Sequence, residues 1–201
     1  KNNILTPKYL KFSYRNNINK LNLINSLQKK IGFPLVVKPL NEGSSVNVFI
    51  CKKNNILKIL RKLSEYGEVL LEKYIPGREI QVAILDNKVL GAIELRPSRK
   101  FYDYEAKYNP EARTEHIIPV NIPENKYDEV TKIALKAHKI LNCRGVTRSD
   151  FRYYKNSFYL LETNTQPGMT SLSLVPEIAN FNNITFKNLI KKILEDASIN
   201  K

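Results

Sequence analysis

The chain has 201 residues, with 33 Lys and Arg against 19 Asp and Glu, a formal net charge of +14. Hydrophobic residues at 42% and charged residues at 26% suit a globular chain with a sizeable core and exclude a disordered one. No run of about 18 apolar residues predicts a membrane span, and no secretory leader is expected at the start that is given.

Apolar residues Ile18, Leu21, Ile24, Leu27 and Ile31 recur at helical spacing, which predicts a helix over 18–31, stopped by Gly32-Phe33-Pro34. Leu35-Val36-Val37 predicts a short strand ending at Lys38-Pro39, followed by a loop over 41–45 and a strand over 46–51. A helix over 54–66 and a strand over 69–74 come next, and then Pro76-Gly77 supplies turn chemistry. Residues 80–85 and 89–95 predict a hairpin around Asp86-Asn87-Lys88. Residues 96–116 are polar and aromatic without periodicity, a length that marks a functional or a disordered loop. A helix over 124–141, strands over 145–154 and 157–164 around Lys155-Asn156, and helices over 172–181 and 186–197 complete the chain. The order predicts an α+β fold with two sheets and a seam near Pro76-Gly77.

The charge could serve nucleic acid, but the lysines are dispersed among many Asn and Ile and form no run of five or six. Cys51 and Cys143 form no CxxC pair and are expected to be reduced, partly buried thiols of a cytosolic protein. His116 and His138 have no evident partner and are expected on the surface or in helix packing.

Chemistry gathers in the hairpin over 145–164. Arg148 and Asp150 share one face of their strand, and Glu162 and Asn164 share one of theirs. A three-residue loop over 155–157 would pair Tyr154 with Phe158, Asp150 with Glu162 and Arg148 with Asn164; a two-residue loop would break that opposition. Opposed carboxylates repel unless a cation lies between them, and Mg²⁺ completed by substrate phosphates suits the pair. The plainer alternative is a solvated sheet face. Lys38 beside Glu42-Gly43-Ser44-Ser45 could meet phosphates, although the pattern is not GxxxxGK[ST]. Glu72 and Glu79 flank the Pro76-Gly77 turn, either as outward residues or as contacts to a purine and a ribose. Phe101-Tyr102-Asp103-Tyr104-Glu105-Ala106-Lys107-Tyr108 reads as a lid bearing Lys107, or as a loop packed by its tyrosines.

These motifs, together with Glu72-Lys73-Tyr74-Ile75, Gly77-Arg78-Glu79 and the run from Leu160 through Asn164-Thr165-Gln166-Pro167-Gly168-Met169-Thr170 to Ser173-Leu174-Val175-Pro176, resemble the D-alanine–D-alanine ligase family of ATP-grasp enzymes. The resemblance runs from about Leu5 to near the C-terminus. It implies an ATP-grasp fold, two α+β subdomains (1–77 and 78–201, with a lid loop over 96–116) whose antiparallel sheets grip ATP between them. It implies that Lys38 and Lys107 contact the ATP phosphates under a loop around Ser44 and Ser45. Glu72, the backbone of Lys73, Tyr74 and Ile75, and Glu79 would hold adenine and ribose. Asp150, Glu162 and Asn164 would hold two Mg²⁺ ions, with Mn²⁺ as a substitute. Arg148 and the Gly168 N–H would stabilise negative charge in the reaction, Ser173 and Leu174 would bind the second alanine's carboxylate, and Tyr108 and Ser44 would join the closing hydrogen bonds.

The activity so implied joins two D-alanines through a D-alanyl phosphate for peptidoglycan precursor synthesis, in a cytoplasmic homodimer with no nucleic-acid or membrane partner. Another ATP-grasp carboxylate–amine ligase and a basic nucleic-acid-binding module are the alternatives. The family's N-terminal domain of about 100 residues does not precede Lys1, so the chain is expected to be the ATP-binding portion, inactive by itself. Asn47 stands where the family usually has glycine, and Thr147-Arg148-Ser149-Asp150 stands for a commoner Gly-Arg-Ile-Asp.

Overall fold

The structure is a computed structural model that describes residues 2–14, 20–43, 45–97 and 114–197. The described residues fall into two compact units, one within 7–75 and one made of 2–6, 76–97 and 114–197.

The first unit is a four-stranded antiparallel sheet in the order β1-β4-β2-β3, built from β1 (Tyr9–Ser13), β2 (Leu35–Pro39), β3 (Phe49–Cys51) and β4 (Glu68–Lys73). Helices α1 (Lys20–Lys30) and α2 (Ile56–Lys62) complete it. Alternation divides the sheet. Leu35, Val37, Val69 and Leu71 pack with Leu23 and Leu27 of α1, Ile31 just after it, Ile56 and Leu60 of α2, and Leu63 at the end of α2. Val36, Lys38, Leu70 and Glu72 occupy the alternate positions and therefore the other face. Gly32, at φ +78, ends α1, and its N–H donates to the Leu27 carbonyl at 2.9 Å.

Three elements differ from expectation here. The strand predicted over 46–51 begins only at Phe49, because Ser45 (φ 59) and Asn47 (φ 55) take the left-handed conformation and cannot extend. Asn tolerates that conformation, which accounts for an asparagine at a place where the family usually has glycine. The helix predicted over 54–66 is α2 followed by a 3-10 turn at Ser64–Tyr66. Strand β1 was not anticipated; only Leu10 and Phe12 of its five residues face the core.

The second unit is a five-stranded antiparallel sheet in the order β7-β6-β5-β8-β9. Its strands are β5 (Arg78–Leu85), β6 (Lys88–Arg96), β7 (Glu115–Ile117), β8 (Val146–Tyr154) and β9 (Ser157–Asn164). Helices α3 (Glu124–Ile140), α4 (Leu174–Phe181) and α5 (Phe186–Asp196) complete it. Ile80, Val82, Ile84, Ala92, Phe151 and Phe158 pack on one face against Val130 and Ala134 of α3. At the edge of the other face, the bare Cα of Gly91 admits α4; a Cβ there would lie 2.8 Å from Ile178 Cγ2. The Leu5 carbonyl accepts the Leu160 N–H at 2.9 Å, which ties residues before β1 to this sheet.

The hairpin expected around Asp86-Asn87-Lys88 turns on Asp86 and Asn87 alone, both at positive φ, and Lys88 pairs with Leu85. The loop predicted over 96–116 is strand at both ends, since Arg96 closes β6 and pairs with Glu115 of β7. Residues 98–113 between them, with Lys107 and Tyr108, lie outside the described residues, as does Ser44.

Candidate functional site

In the first unit, Lys38 and Glu72 project from the sheet face that carries no helix. Lys38 Nζ lies 2.7 Å from Glu72 Oε2, and both side chains are largely buried. The pairing places Lys38 against Leu70 and Val36 against Glu72, so the ion pair crosses the strands diagonally. Glu72 is thus not an outward-facing, solvated residue. The backbone after it is partly committed: the Lys73 N–H donates to the Lys8 carbonyl at 2.8 Å and the Tyr74 N–H to the Pro34 carbonyl at 3.2 Å. Adenine recognition through 73–75 therefore cannot use those two donors without breaking a bond. Ser45 lies in the turn before β3, where its carbonyl faces the Val48 N–H at 3.4 Å.

In the second unit, Glu79 and Gln81 of β5 and Arg148, Asp150 and Arg152 of β8 share the sheet face away from α3. Arg148 grips Asp150 with both arms of its guanidinium, Nε to Oδ1 at 2.8 Å and Nη2 to Oδ2 at 3.0 Å. Asp150 is buried, whereas Glu162 is exposed. The register places Asp150 opposite Glu162 and Arg148 opposite Asn164. The route differs from the one expected. Tyr154 pairs with Ser157 across a two-residue turn, Lys155 and Asn156 at φ 46 and 62, and a bulge between Asp150 and Phe151 restores the opposition.

The loop after β9 organises itself around Ser173. Asn164 Oδ1 accepts the Gln166 N–H at 3.0 Å. Ser173 Oγ accepts the Thr170 N–H at 3.0 Å and lies 2.9 Å from Thr170 Oγ1. Ser173 precedes α4 but does not cap it with its side chain, because the hydroxyl serves this loop. A Cβ on Gly168 would lie 2.8 Å from Ser173 Oγ, so the loop closes tightly there. Leu174 buries its side chain at the first position of α4, which leaves its backbone N–H as the group able to meet a carboxylate.

Three side chains carry no motif of their own yet belong to this sheet. Arg152 Nη2 lies 2.9 Å from Glu79 Oε2. Gln81 is fully buried beside Asp150, and its Oε1 has no hydrogen-bond partner. Both could be found from sequence by extending the period-2 alternation past Asp150 and Glu79. Glu94 sits on the α3 face, held by Arg78 (Nε to Oε1 at 2.7 Å) and by Arg96 (Nε to Oε1 at 3.1 Å). Burial pushes the Glu94 carboxyl up, but the two guanidiniums outweigh it and hold it below the usual carboxylate range. His116 also has a partner, contrary to expectation: its Nδ1 lies 2.7 Å from Glu177 Oε2 of α4.

The oxygen set Asp150, Glu162 and Asn164 has the hard chemistry that Mg²⁺ requires, and the unpartnered Gln81 oxygen lies beside it. Among the described residues, no group of three or more His, Cys, Asp and Glu could hold a metal by itself.

The model of the D-ala D-ala ligase C-terminus family matches residues 1–195. The chain belongs to that family. It is 62% identical over 201 residues to the D-alanine–D-alanine ligase of Pelagibacter ubique (strain HTCC1062), covering 100% of this chain and 66% of that protein. It is 46% identical over 170 residues to the D-alanine–D-alanine ligase of Paramagnetospirillum magneticum (strain ATCC 700264 / AMB-1), covering 82% and 55%. The chain thus spans less than two thirds of the length of these family members. Among solved structures, it resembles the D-alanine–D-alanine ligase of Bacillus anthracis (TM-score 0.82, 36% identity, 96% of this chain and 62% of that one). It likewise resembles the same enzyme complexed with ATP (TM-score 0.76, 31% identity, 96% and 60%). The VanG D-Ala:D-Ser ligase of Enterococcus faecalis is also similar (TM-score 0.80, 26% identity, 96% and 57%). The two antiparallel sheets with their helices are the ATP-grasp fold of these family members. Among the described residues no helix is long and apolar enough to cross a membrane.

Proposed function

We propose that this chain is the ATP- and Mg²⁺-binding portion of a ligase that joins two D-alanines through a D-alanyl phosphate. The observation that carries this reading is the Asp150–Glu162 opposition with Arg148 and Asn164 beside it, in a chain similar to an ATP-bound ligase.

Lys38 meets ATP phosphate, and Glu72 holds the lysine in place until nucleotide arrives. Glu72 and the backbone of 73–75 serve adenine, Glu79 the ribose, and Ser45 the loop over the phosphates. Asp150, Glu162 and Asn164 hold Mg²⁺. When bound, Mg²⁺ supplies positive charge against the phosphates, where two anions must approach each other. Arg148, released from Asp150 when that carboxylate takes the metal, is available for charge that develops on the substrate. The Gly168 N–H shares that task, and Ser173 with the Leu174 N–H holds the second alanine's carboxylate.

In the reaction, a carboxylate oxygen of one D-alanine attacks the γ-phosphorus and ADP leaves. The amine of the second D-alanine then attacks the acyl carbon, phosphate leaves, and the amine loses a proton. Water must be kept from the acyl phosphate. The product serves peptidoglycan precursor synthesis in the cytoplasm, and the full-length protein works as a homodimer.

The test is ADP release by the full-length protein with MgATP and D-alanine, L-alanine, or D-alanine with D-lactate or D-serine. Release that requires D-alanine, with dipeptide formed, supports the reading. Release independent of D-alanine overturns the substrate.

A further inference from the structure

Arg152 faces Glu79 directly across β5 and β8. Its guanidinium forks: Nη2 lies 2.9 Å from Glu79 Oε2 and Nη1 donates to the Gly77 carbonyl at 3.2 Å. Both side chains are buried to about nine-tenths, at 11% and 9% exposed. The anchor at Gly77 is itself rigid. Gly77 has φ +111, and a Cβ there would lie 2.3 Å from the Tyr153 carbonyl oxygen, so the backbone of β8 is pressed against this turn. Gly77, in the turn before β5, and Glu79, in β5, are thereby tied to a single planar group. The other carboxylate oxygen of Glu79 faces Gln81 Nε2 only at 3.4 Å. An ionised carboxylate has about four acceptor positions. Arg152 takes one of them on Oε2.

We propose that Arg152 is a positioning residue for nucleotide binding, which holds the Glu79 carboxylate in the one orientation that accepts hydrogen bonds from the ribose hydroxyls. This rests on the reading of Glu79 as the ribose-binding residue. Arg152 touches no nucleotide atom itself. Its contribution is to settle a buried carboxylate before ATP arrives, so that the ordering cost is not met on binding. A lysine could reach one of the two partners but not both, since it lacks the fork.

The experiment is calorimetric titration of the full-length protein with ATP and with 2′,3′-dideoxy-ATP, in the presence of Mg²⁺. Hydrogen bonds to a charged group make ATP the tighter ligand by roughly tenfold to a hundredfold. In Arg152→Met that ratio is expected to fall below about threefold, while the dideoxy nucleotide binds within about twofold of its wild-type affinity. Arg152→Lys should keep an intermediate ratio. If Arg152→Met does not fold, because a buried carboxylate has lost its partner, Arg152→Gln makes the same comparison. A variant that keeps the wild-type ratio, or weakens both nucleotides equally, overturns the proposal. Glu79→Gln separates the two readings. If it abolishes the ratio while Arg152→Met preserves it, Glu79 binds ribose without help from Arg152. If Glu79→Gln leaves the ratio intact, the ribose reading falls and the proposal with it.

Discussion

Asp150 lies opposite Glu162 because Leu161 is an extra residue in its strand: Phe151 pairs with Leu160, and the next pair is Asp150 with Glu162. The turn at Lys155-Asn156, too short by itself to give this register, is offset by the bulge. Arg148 occupies Asp150 from the same strand face, so a cation already sits against the buried carboxylate. The arrangement predicts different losses at different residues. Glu162→Gln should reduce ADP formation by the full-length protein at least ~100-fold and raise the Mg²⁺ concentration needed for half-maximal rate, because a neutral amide is a poorer ligand. Arg148→Ala should retain MgATP binding within a few-fold, measured by titration, and lose dipeptide formation. Loss of nucleotide binding in Arg148→Ala would move Arg148 to a different role.

Glycine matters unequally along the chain. Gly77 has φ +111 and backbone 2.3 Å from where a Cβ would sit, while Gly43 has nothing within 4 Å of that position. Gly77→Ala is expected to destabilise by roughly 2–4 kcal/mol, since strained backbone and a clash with main chain act together. Gly43→Ala should stay within about 0.5 kcal/mol of wild type. Urea unfolding of the two variants beside the wild type measures the difference, and equal midpoints would contradict the tight approach of β8 to this turn.

His138 is fully buried in α3, with Nδ1 2.8 Å from Thr147 Oγ1 and no partner at Nε2. Burial, assisted by the charge of Lys139, holds its imidazole below the ordinary value of 6.5. The folded state therefore favours the neutral ring. Its stabilising effect is present above pH 6.5 and is lost as pH falls from there towards the depressed folded value. The melting temperature should drop between about pH 7.5 and 5.5 in the wild type. In His138→Gln, which can keep the bond to Thr147, the drop should be shallower. Parallel pH profiles for the two proteins would show that His138 is not the group responsible.

The two thiols should separate in reactivity. Cys51 is fully buried, and burial pushes its thiol up to about 11, whereas Cys143 is only partly buried and shifted in the same direction. A thiol-reactive disulfide at pH 8 should label Cys143 first, with Cys51 at least roughly tenfold slower until denaturant opens the first unit. Peptide mapping after short exposure assigns the sites. Prompt labelling of Cys51 would mean that the sheet core around Leu35 and Leu71 opens readily.

Much of this was legible in the amino-acid order. Leu27 of α1, Val130 and Ala134 of α3, and Ile80, Val82 and Ile84 of β5 announce their buried faces through spacing alone, because helix and strand periods are local properties of the chain; Leu21, which the spacing put beside Leu27, is exposed, and Leu23 is buried in its stead. Asn54 to Tyr66 read as one helix, whereas the structure stops it at Lys62, and the turn at Ser45 and Asn47 shortened β3; both depend on backbone choices that hydrophobic spacing does not encode. Strands β1 and β7 escaped because five and three residues carry too little pattern, and each becomes a strand only where β4 or β6 offers an edge.

The site divides in the same way. The identity of Asp150, Glu162 and Asn164, and their alternation with core residues, were determined by the sequence, and so was the family. The opposition of Asp150 and Glu162, the pairing of Lys38 with Glu72 and the fork of Arg152 onto Glu79 and Gly77 were decided by tertiary structure. The reason is separation along the chain. Arg152 and Glu79 are distant in sequence and meet only because β5 and β8 pair in one register, and a register is the sum of turns, bulges and packing over the whole sheet.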